Sequence, residues 1–213
     1  MISKKKLIFI YKKISKFYVF IFGWKSMQFF NDFILSLTLD AKGYKNYGNF
    51  YETGEKSFIK LIKDEIKLIL DIGSNIGEYT KLLLSHTNSK VVSFEPLPEA
   101  FKELKKIKSN FEARLEIYNI AIGAETTKLD LFFGDQKSEK ASLVPNLEKL
   151  SFIGSQNKNK ISVEVKKLDY YEDYFEDKQI DFIKIDTEGF EYEVLKGAEK
   201  ILKKHKPKFI QIE

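Results

Sequence analysis

Lys67 to Tyr79 reads K-L-I-L-D-I-G-S-N-I-G-E-Y, and the order of residue types in it decides the fold. A short apolar run ends at Asp71 or Ile72, two glycines follow, and Glu78 to Ser85 then has helical spacing. A buried strand that turns through a glycine-bearing loop straight into a helix is the opening unit of a parallel sheet covered by helices.

The same alternation continues outward. Lys90 to Glu95 (K-V-V-S-F-E) predicts a second strand, Pro98 to Lys108 a helix opened by proline, and Leu115 to Ile122 a third strand. Asp181 to Asp186 (D-F-I-K-I-D) predicts a fourth strand, Glu191 to Lys203 its helix, and Lys208 to Ile212 a fifth strand. From Lys128 to Leu168 two β-like segments, L-D-L-F-F and I-S-V-E-V, flank a polar loop around Ser155 to Lys160, which predicts an inserted or flanking hairpin. The expected fold is α/β and Rossmann-like: a mostly parallel sheet with helices on both faces.

Residues 1–50 form a separate, basic amphipathic helical segment ahead of a main domain at 51–213. Leu7, Ile10, Ile14, Phe17, Tyr18 and Ile21 recur at helical spacing among Lys4, Lys5, Lys6, Lys12, Lys13 and Lys16. Such a helix suits two uses, resting on an anionic membrane surface or packing its apolar face on the domain as a lid, and the second is the plainer expectation.

Composition narrows the chemistry. The 213 residues include 19 Phe and 11 Tyr with 43% hydrophobic content, enough for one main core. There is no cysteine, which excludes disulfides, thiolate zinc and a cysteine nucleophile, and fits a reducing, cytoplasmic setting. His86 and His205 are too few for a histidine metal cluster. The net charge is +5, yet Arg114 is the single arginine, so the forked contacts that read phosphates and base edges are missing and nucleic acid is disfavoured as a partner. No run approaches the roughly 20 apolar residues of a membrane span, and no signal peptide is expected, although peripheral membrane contact stays open.

The loop Asp71 to Tyr79 has the makings of a cofactor seat. Gly73 and Gly77 permit positive φ and close approach of a ligand, and Ser74 and Asn75 lie between them. The spacing fits neither a dinucleotide fingerprint nor a Walker loop, so the ligand should lack phosphates. S-adenosylmethionine is such a ligand: Asp71 can receive its ammonium and loop amides its carboxylate. Glu95, at the end of the second strand, can accept both ribose hydroxyls. Asn119, in N-I-A-I-G, is placed to meet the adenine by donating or accepting.

A second cluster follows the fourth strand in I-D-F-I-K-I-D-T-E-G-F-E-Y-E. Alternation puts Lys184 and Asp186 on one face, with Glu188 and Gly189 in the next turn, at the carboxyl end of the sheet where ligands bind. Methylating an alcohol requires alignment and a group to take up a proton. Asp186 and Glu188 are the candidates for that base or for holding the acceptor. A divalent cation between them lacks an identifiable third ligand, so no metal is assigned. Glu191 and Glu193 complement the dipole of the following helix. The segment reads D-T-E-G where amine-methylating enzymes of nucleic acids carry [ND]-P-P-[FY], which argues against base methylation.

Taken together, Gly54-Glu55, D-I-G-S-N-I-G-E-Y-T, F-E-P-L-P at Phe94 to Pro98, N-I-A-I-G and I-D-F-I-K-I-D-T-E-G-F-E-Y-E-V-L-K-G-A resemble the FkbM family of methyltransferases over roughly residues 40–213. The resemblance implies a class I methyltransferase fold and O-methylation of hydroxyls on sugars, polyketides and other secondary or surface metabolites. It gives Asp71, Gly73, Asn75, Gly77 and Glu95 cofactor roles and places Asp186 and Glu188 in the active-site signature. Domains of this class continue past the fifth strand with a helix and two more strands. The sequence here ends at Glu213, so a sheet shortened after that strand, with an apolar edge, is expected. Two competing readings follow: an inactive cofactor-binding remnant and, favoured only by the positive charge, an RNA methyltransferase.

Overall fold

The structure is a computed structural model that describes residues 4–41, 54–134, 141–144 and 159–213. The stretch 155–158 of the expected polar loop and the 42–53 segment lie outside the described residues. The chain divides into two compact units, residues 1–57 and 58–213.

The first unit is a helical hairpin. Helix α1 (Lys4–Phe22) and helix α2 (Gln28–Ala41) are joined by a 3-10 turn at Lys25–Met27. The Tyr18 hydroxyl donates to Asn31 Oδ1 (2.8 Å), and Asn31 Nδ2 donates to the Phe22 carbonyl (2.8 Å). The Phe22 and Phe30 rings stack with centroids 5.3 Å apart. Helix α3 (Glu55–Ile62) crosses the boundary into the second unit.

In the second unit the elements run β1 (Leu68–Ile72), α4 (Glu78–His86), β2 (Lys90–Phe94), α5 (Pro98–Asn110), β3 (Leu115–Tyr118), β4 (Ala121–Ile122), β5 (Thr127–Phe133), β6 (Asn159–Lys166), β7 (Phe182–Ile185), α6 (Glu191–Gly197), α7 (Glu199–His205) and β8 (Phe209–Ile212). The main sheet has the order β3-β2-β1-β7-β8 and is parallel throughout. Chain direction across the sheet reverses between β1 and β7, which opens a crevice at their carboxyl ends. This is a Rossmann-like fold.

Each face of the sheet has its own cover. Leu70, Ile72, Val92, Phe94, Ile183 and Ile185 point to one side and pack with Val194, Ala198 and Ile201 of α6 and α7 and with Leu168 and Phe175. Phe94, fully buried, stacks on Tyr118 (5.3 Å) and meets Tyr171 edge-on (5.5 Å). On the other side Phe58 of α3 packs edge-on against Phe182 and Phe209, both at 5.9 Å. Strand β8 has β7 as its one neighbour among the described residues, and Ile210 and Ile212 are exposed.

The third predicted strand is in fact two. β3 stops at Tyr118, a turn intervenes, and Ala121–Ile122 joins a second sheet of order β4-β6-β5. The chain leaves one sheet for the other because Ala121 is drawn into a second apolar cluster with Leu97, Leu131, Val163 and Val165. The predicted helix at 191–203 is also divided: Gly197 ends α6, and a side chain there would meet the Gly123 carbonyl oxygen at 1.9 Å. β5 and β6 pair antiparallel from Thr127↔Val165 to Phe133↔Asn159.

Arg114 is wholly engaged in structure. It donates to the carbonyls of Leu84 (2.9 Å) and Thr87 (2.9 Å) at the end of α4, satisfying acceptors that a helix terminus leaves open.

Candidate active site

Parallel register places one polar residue from each of four adjacent strands in a single row: Ser93, Asp71, Lys184 and Gln211. In-register neighbours share a face, so this row crosses an otherwise apolar sheet. Helix α4 covers it. Thr80 Oγ1 donates to Asp71 Oδ2 (2.5 Å) and lies 3.1 Å from Ser93 Oγ. The Tyr79 hydroxyl donates to Gln211 Oε1 (2.6 Å), and its ring lies 4.7 Å from Lys184 Nζ.

Lys184 Nζ donates to Asp186 Oδ2 (2.8 Å) and lies 4.0 Å from Glu213 Oε2. Burial opposes its charge, but Asp71, Asp186 and the hydrogen bond to Asp186 outweigh it and hold Lys184 above the ordinary lysine range. Lys184, which the sequence also offers as a catalytic candidate, is here a cation bonded to Asp186.

Asp71 is fully buried. Burial pushes its carboxyl up, Lys184 and the Thr80 hydroxyl pull it back, and the balance stays above the usual aspartate value. Its Oδ1 has no hydrogen-bond partner, and neither has the buried Oδ1 of Asn75. Buried acceptors without donors are rare in folded proteins and point to a missing ligand. A ligand bearing an ammonium and hydroxyls fits this donor-poor pair, so the residues present suit S-adenosylmethionine.

Protein packs closely against both glycines of the loop after β1. Gly73 and Gly77 do have positive φ (81° and 86°), but what approaches them is protein. A Cβ at Gly73 would meet the Asp186 carbonyl oxygen at 1.8 Å, and one at Gly77 would meet Leu104 and Ile107 at 2.6 Å. The amides of Gly73 and Ser74 donate to the Phe94 carbonyl (3.0 and 3.1 Å), and that of Gly77 to Ser74 (2.9 Å). The amides of Ile76 and Glu78 take no part in these turn bonds.

Glu95 is buried and accepts the amides of Asn75 and Leu97, each at 2.7 Å. Burial, against these two bonds, pushes its carboxyl up to about 7. Each oxygen retains a second lone pair for a ribose hydroxyl. Asn119 Nδ2 donates to the carbonyls of Glu95 (2.8 Å) and Pro96 (3.1 Å), so toward an adenine its amide offers only the oxygen, as an acceptor.

After β7, Glu188 and Gly189 both have positive φ (52° and 98°). Glu191 organises this turn: its Oε1 accepts from the Thr187 amide, the Thr187 hydroxyl and the Gly189 amide, all at 3.0 Å. Its role exceeds the dipole complement expected of it, whereas Glu193 pairs with Lys196 (3.1 Å). The Ser142 hydroxyl donates to the Glu188 carbonyl (2.6 Å), so the second sheet's side of the molecule braces the turn. Among the described residues no group of three or more His, Asp or Glu side chains could hold a metal ion.

Tyr79, Thr80, Ser93, Gln211 and Ser142 were not read from the sequence as site residues. A signal existed for two of them: Ser93 and Gln211 are the single polar residues inside V-V-S-F and F-I-Q-I, as Asp71 and Lys184 are inside L-I-L-D-I and F-I-K-I.

Methyltransferase 1 of Beauveria bassiana is 27% identical over 152 residues, covering 62% of this chain and 58% of that protein. The hexuronic acid methyltransferase AglP of Haloferax volcanii is 30% identical over 148 residues, covering 68% and 56%. The chain thus spans a little over half the length of these relatives. Among solved structures, TYW2 of Pyrococcus horikoshii in complex with MeSAdo matches 36% of this chain and 30% of that one, at 22% identity and a TM-score of 0.31. The strand order β3-β2-β1-β7-β8 is that of a class I methyltransferase fold. The model of the methyltransferase FkbM domain matches residues 71–213, two thirds of the sequence, and the chain belongs to the FkbM methyltransferase family.

Proposed function

We propose that the protein is an S-adenosylmethionine-dependent O-methyltransferase whose acceptor is a hydroxyl of a glycan or of a secondary or surface metabolite. The observation that carries this reading is the buried, donorless Oδ1 of Asp71 at the end of β1, beside a loop built without phosphate-binding spacing. Asp71 holds the ammonium, Glu95 the ribose hydroxyls, and Asn75 a further donor; Ser74 and the glycines shape the loop. When bound, the cofactor supplies an electrophilic methyl group on a sulfonium.

The chain's own residues align the acceptor and move its proton. With that group bound, an acceptor hydroxyl would give up its proton to Asp186 or Glu188 as its oxygen took the methyl group. Lys184 fixes Asp186 in place. A hexuronic acid, the acceptor class in the name of one relative, offers both hydroxyls and a carboxylate, and only the hydroxyls need a base. Asp186→Asn and Glu188→Gln therefore distinguish the two acceptor groups: either substitution slows transfer to a hydroxyl and leaves transfer to a carboxylate dependent on positioning alone.

The first test is calorimetric titration with S-adenosylmethionine of the wild type, Asp71→Ala and Glu95→Ala. Binding by the wild type that either substitution abolishes supports the site and justifies an acceptor screen beginning with uronic acids. A folded wild type that binds nothing overturns the reading.

A further inference from the structure

The geometry of the first unit points to an anionic lipid surface as the partner of the α1–α2 hairpin. This inference is independent of methyl transfer. The contact between the two helices uses Phe22, Phe30, Tyr18 and Asn31. It does not absorb their other large apolar side chains: Phe17 is 67% exposed, Phe20 76%, Trp24 67% and Phe29 85%. An apolar exposure of this extent marks an interaction surface.

Charge selects the occupant. Residues 1–31 carry seven lysines, nine aromatic residues and no aspartate or glutamate. On α1 the helical period sets Lys12, Lys13 and Lys16 along one side and Ile14, Phe17, Tyr18 and Ile21 along another. A basic helix with an aromatic face lies in the headgroup boundary, lysines at the anionic phosphates and rings among the upper acyl chains. The lysines are point charges without arginine's planar fork, which suits diffuse headgroup attraction better than recognition of a nucleic-acid backbone. Among the described residues no helix is long and apolar enough to cross a membrane, so the hairpin lies on the surface.

Trp24, the single tryptophan, sits just before the turn between the helices and reports on the contact. The full chain is mixed with vesicles of phosphatidylcholine alone or of equal parts phosphatidylcholine and phosphatidylglycerol, and both co-sedimentation and Trp24 emission are followed. Co-sedimentation with the anionic vesicles and a shift of emission to shorter wavelength are expected, with partitioning at least about tenfold weaker onto the neutral ones. Lys12→Glu with Lys16→Glu reduces partitioning about tenfold or more, as does Ile14→Ser with Phe17→Ser, while circular dichroism stays that of the wild type.

Three results overturn the inference. One is a folded chain that ignores both vesicle types. Another is binding that is equal on both and insensitive to the lysine substitutions. The third is Trp24 emission already at short wavelength without lipid, either in a monomer, which assigns the apolar face to the chain's own domain, or in a dimer, which assigns it to a second copy.

Discussion

The loop after β1 and the loop after β7 both leave a buried strand through a left-handed residue that is not glycine, Asn75 in one and Glu188 in the other. Asparagine visits this conformation at little cost, and its loop is tied by its own amides to β2. Glutamate does not, at about 1–3 kcal/mol, and its turn is held from outside by Glu191 and Ser142. The difference teaches where geometry is enforced: the β1 loop is a relaxed seat, whereas the β7 turn is braced into a shape its residues would not choose, as expected of the group that handles the acceptor.

The comparison breaks most severely at the point where the two loops touch. Gly73→Ala forces a Cβ into the Asp186 carbonyl, and we expect a loss of more than about 3 kcal/mol, read by thermal melting and soluble yield. Next in size is a pH effect confined to the β1 side. Glu95 has its folded pKa raised to about 7 from 4.5, so its contribution to stability is fully present below pH 4.5 and is lost as pH rises through 7. This amounts to at most about 3 kcal/mol. Melting temperature should therefore fall between pH 5 and pH 8, and Glu95→Gln should flatten that slope. Because ribose hydroxyls favour the ionised carboxylate, cofactor binding should release a proton near pH 7, measurable by calorimetry in buffers of different ionisation enthalpy.

Removing the brace on the other side, Glu191→Ala, should cost about 2 kcal/mol and slow turnover on the order of a hundredfold, with cofactor affinity unchanged; an equal loss of affinity would mean the two loops are not separate devices. The smallest effects sharpen the contrast directly. Glu188→Gly should raise stability by about 1 kcal/mol by relieving the left-handed glutamate while abolishing whatever proton transfer it performs. Asn75→Gly should change stability by only a few tenths of a kcal/mol. Both are read by chemical denaturation.

Periodicity carried most of the fold. L-I-L-D-I, V-V-S-F and F-I-K-I announce buried parallel strands because each is apolar on both faces, and Pro98 marks the start of α5. The break between β3 and β4 was hidden, since I-Y-N-I-A-I continues to look like one strand; only the pairing of Ala121 and Ile122 with β6 and the packing of Ala121 in the second apolar cluster divide it. At the candidate site, residue type marked out Asp71, Glu95 and Asp186, but not what their oxygens contact. That Glu95 binds amides, that Asn119's nitrogen is engaged and that Gly73 clears the way for Asp186 depend on how chain segments far apart in sequence meet. No local pattern encodes such meetings.

The register Ile69↔Phe182 joins residues on opposite sides of more than half of the second unit. Asp71 can meet Thr80 and Ser93 within a local β1–α4–β2 segment, early in folding, but Lys184 arrives only when the long intervening chain has closed, a slow event for non-local parallel pairing. Until then a nascent core holds a carboxyl with no cation beside it and favours its neutral form. Acid should thus ease the passage of this chain toward its native state, and the pairing that completes the polar row acts as a late checkpoint, admitting charge to the interior only once both of its signs are in place.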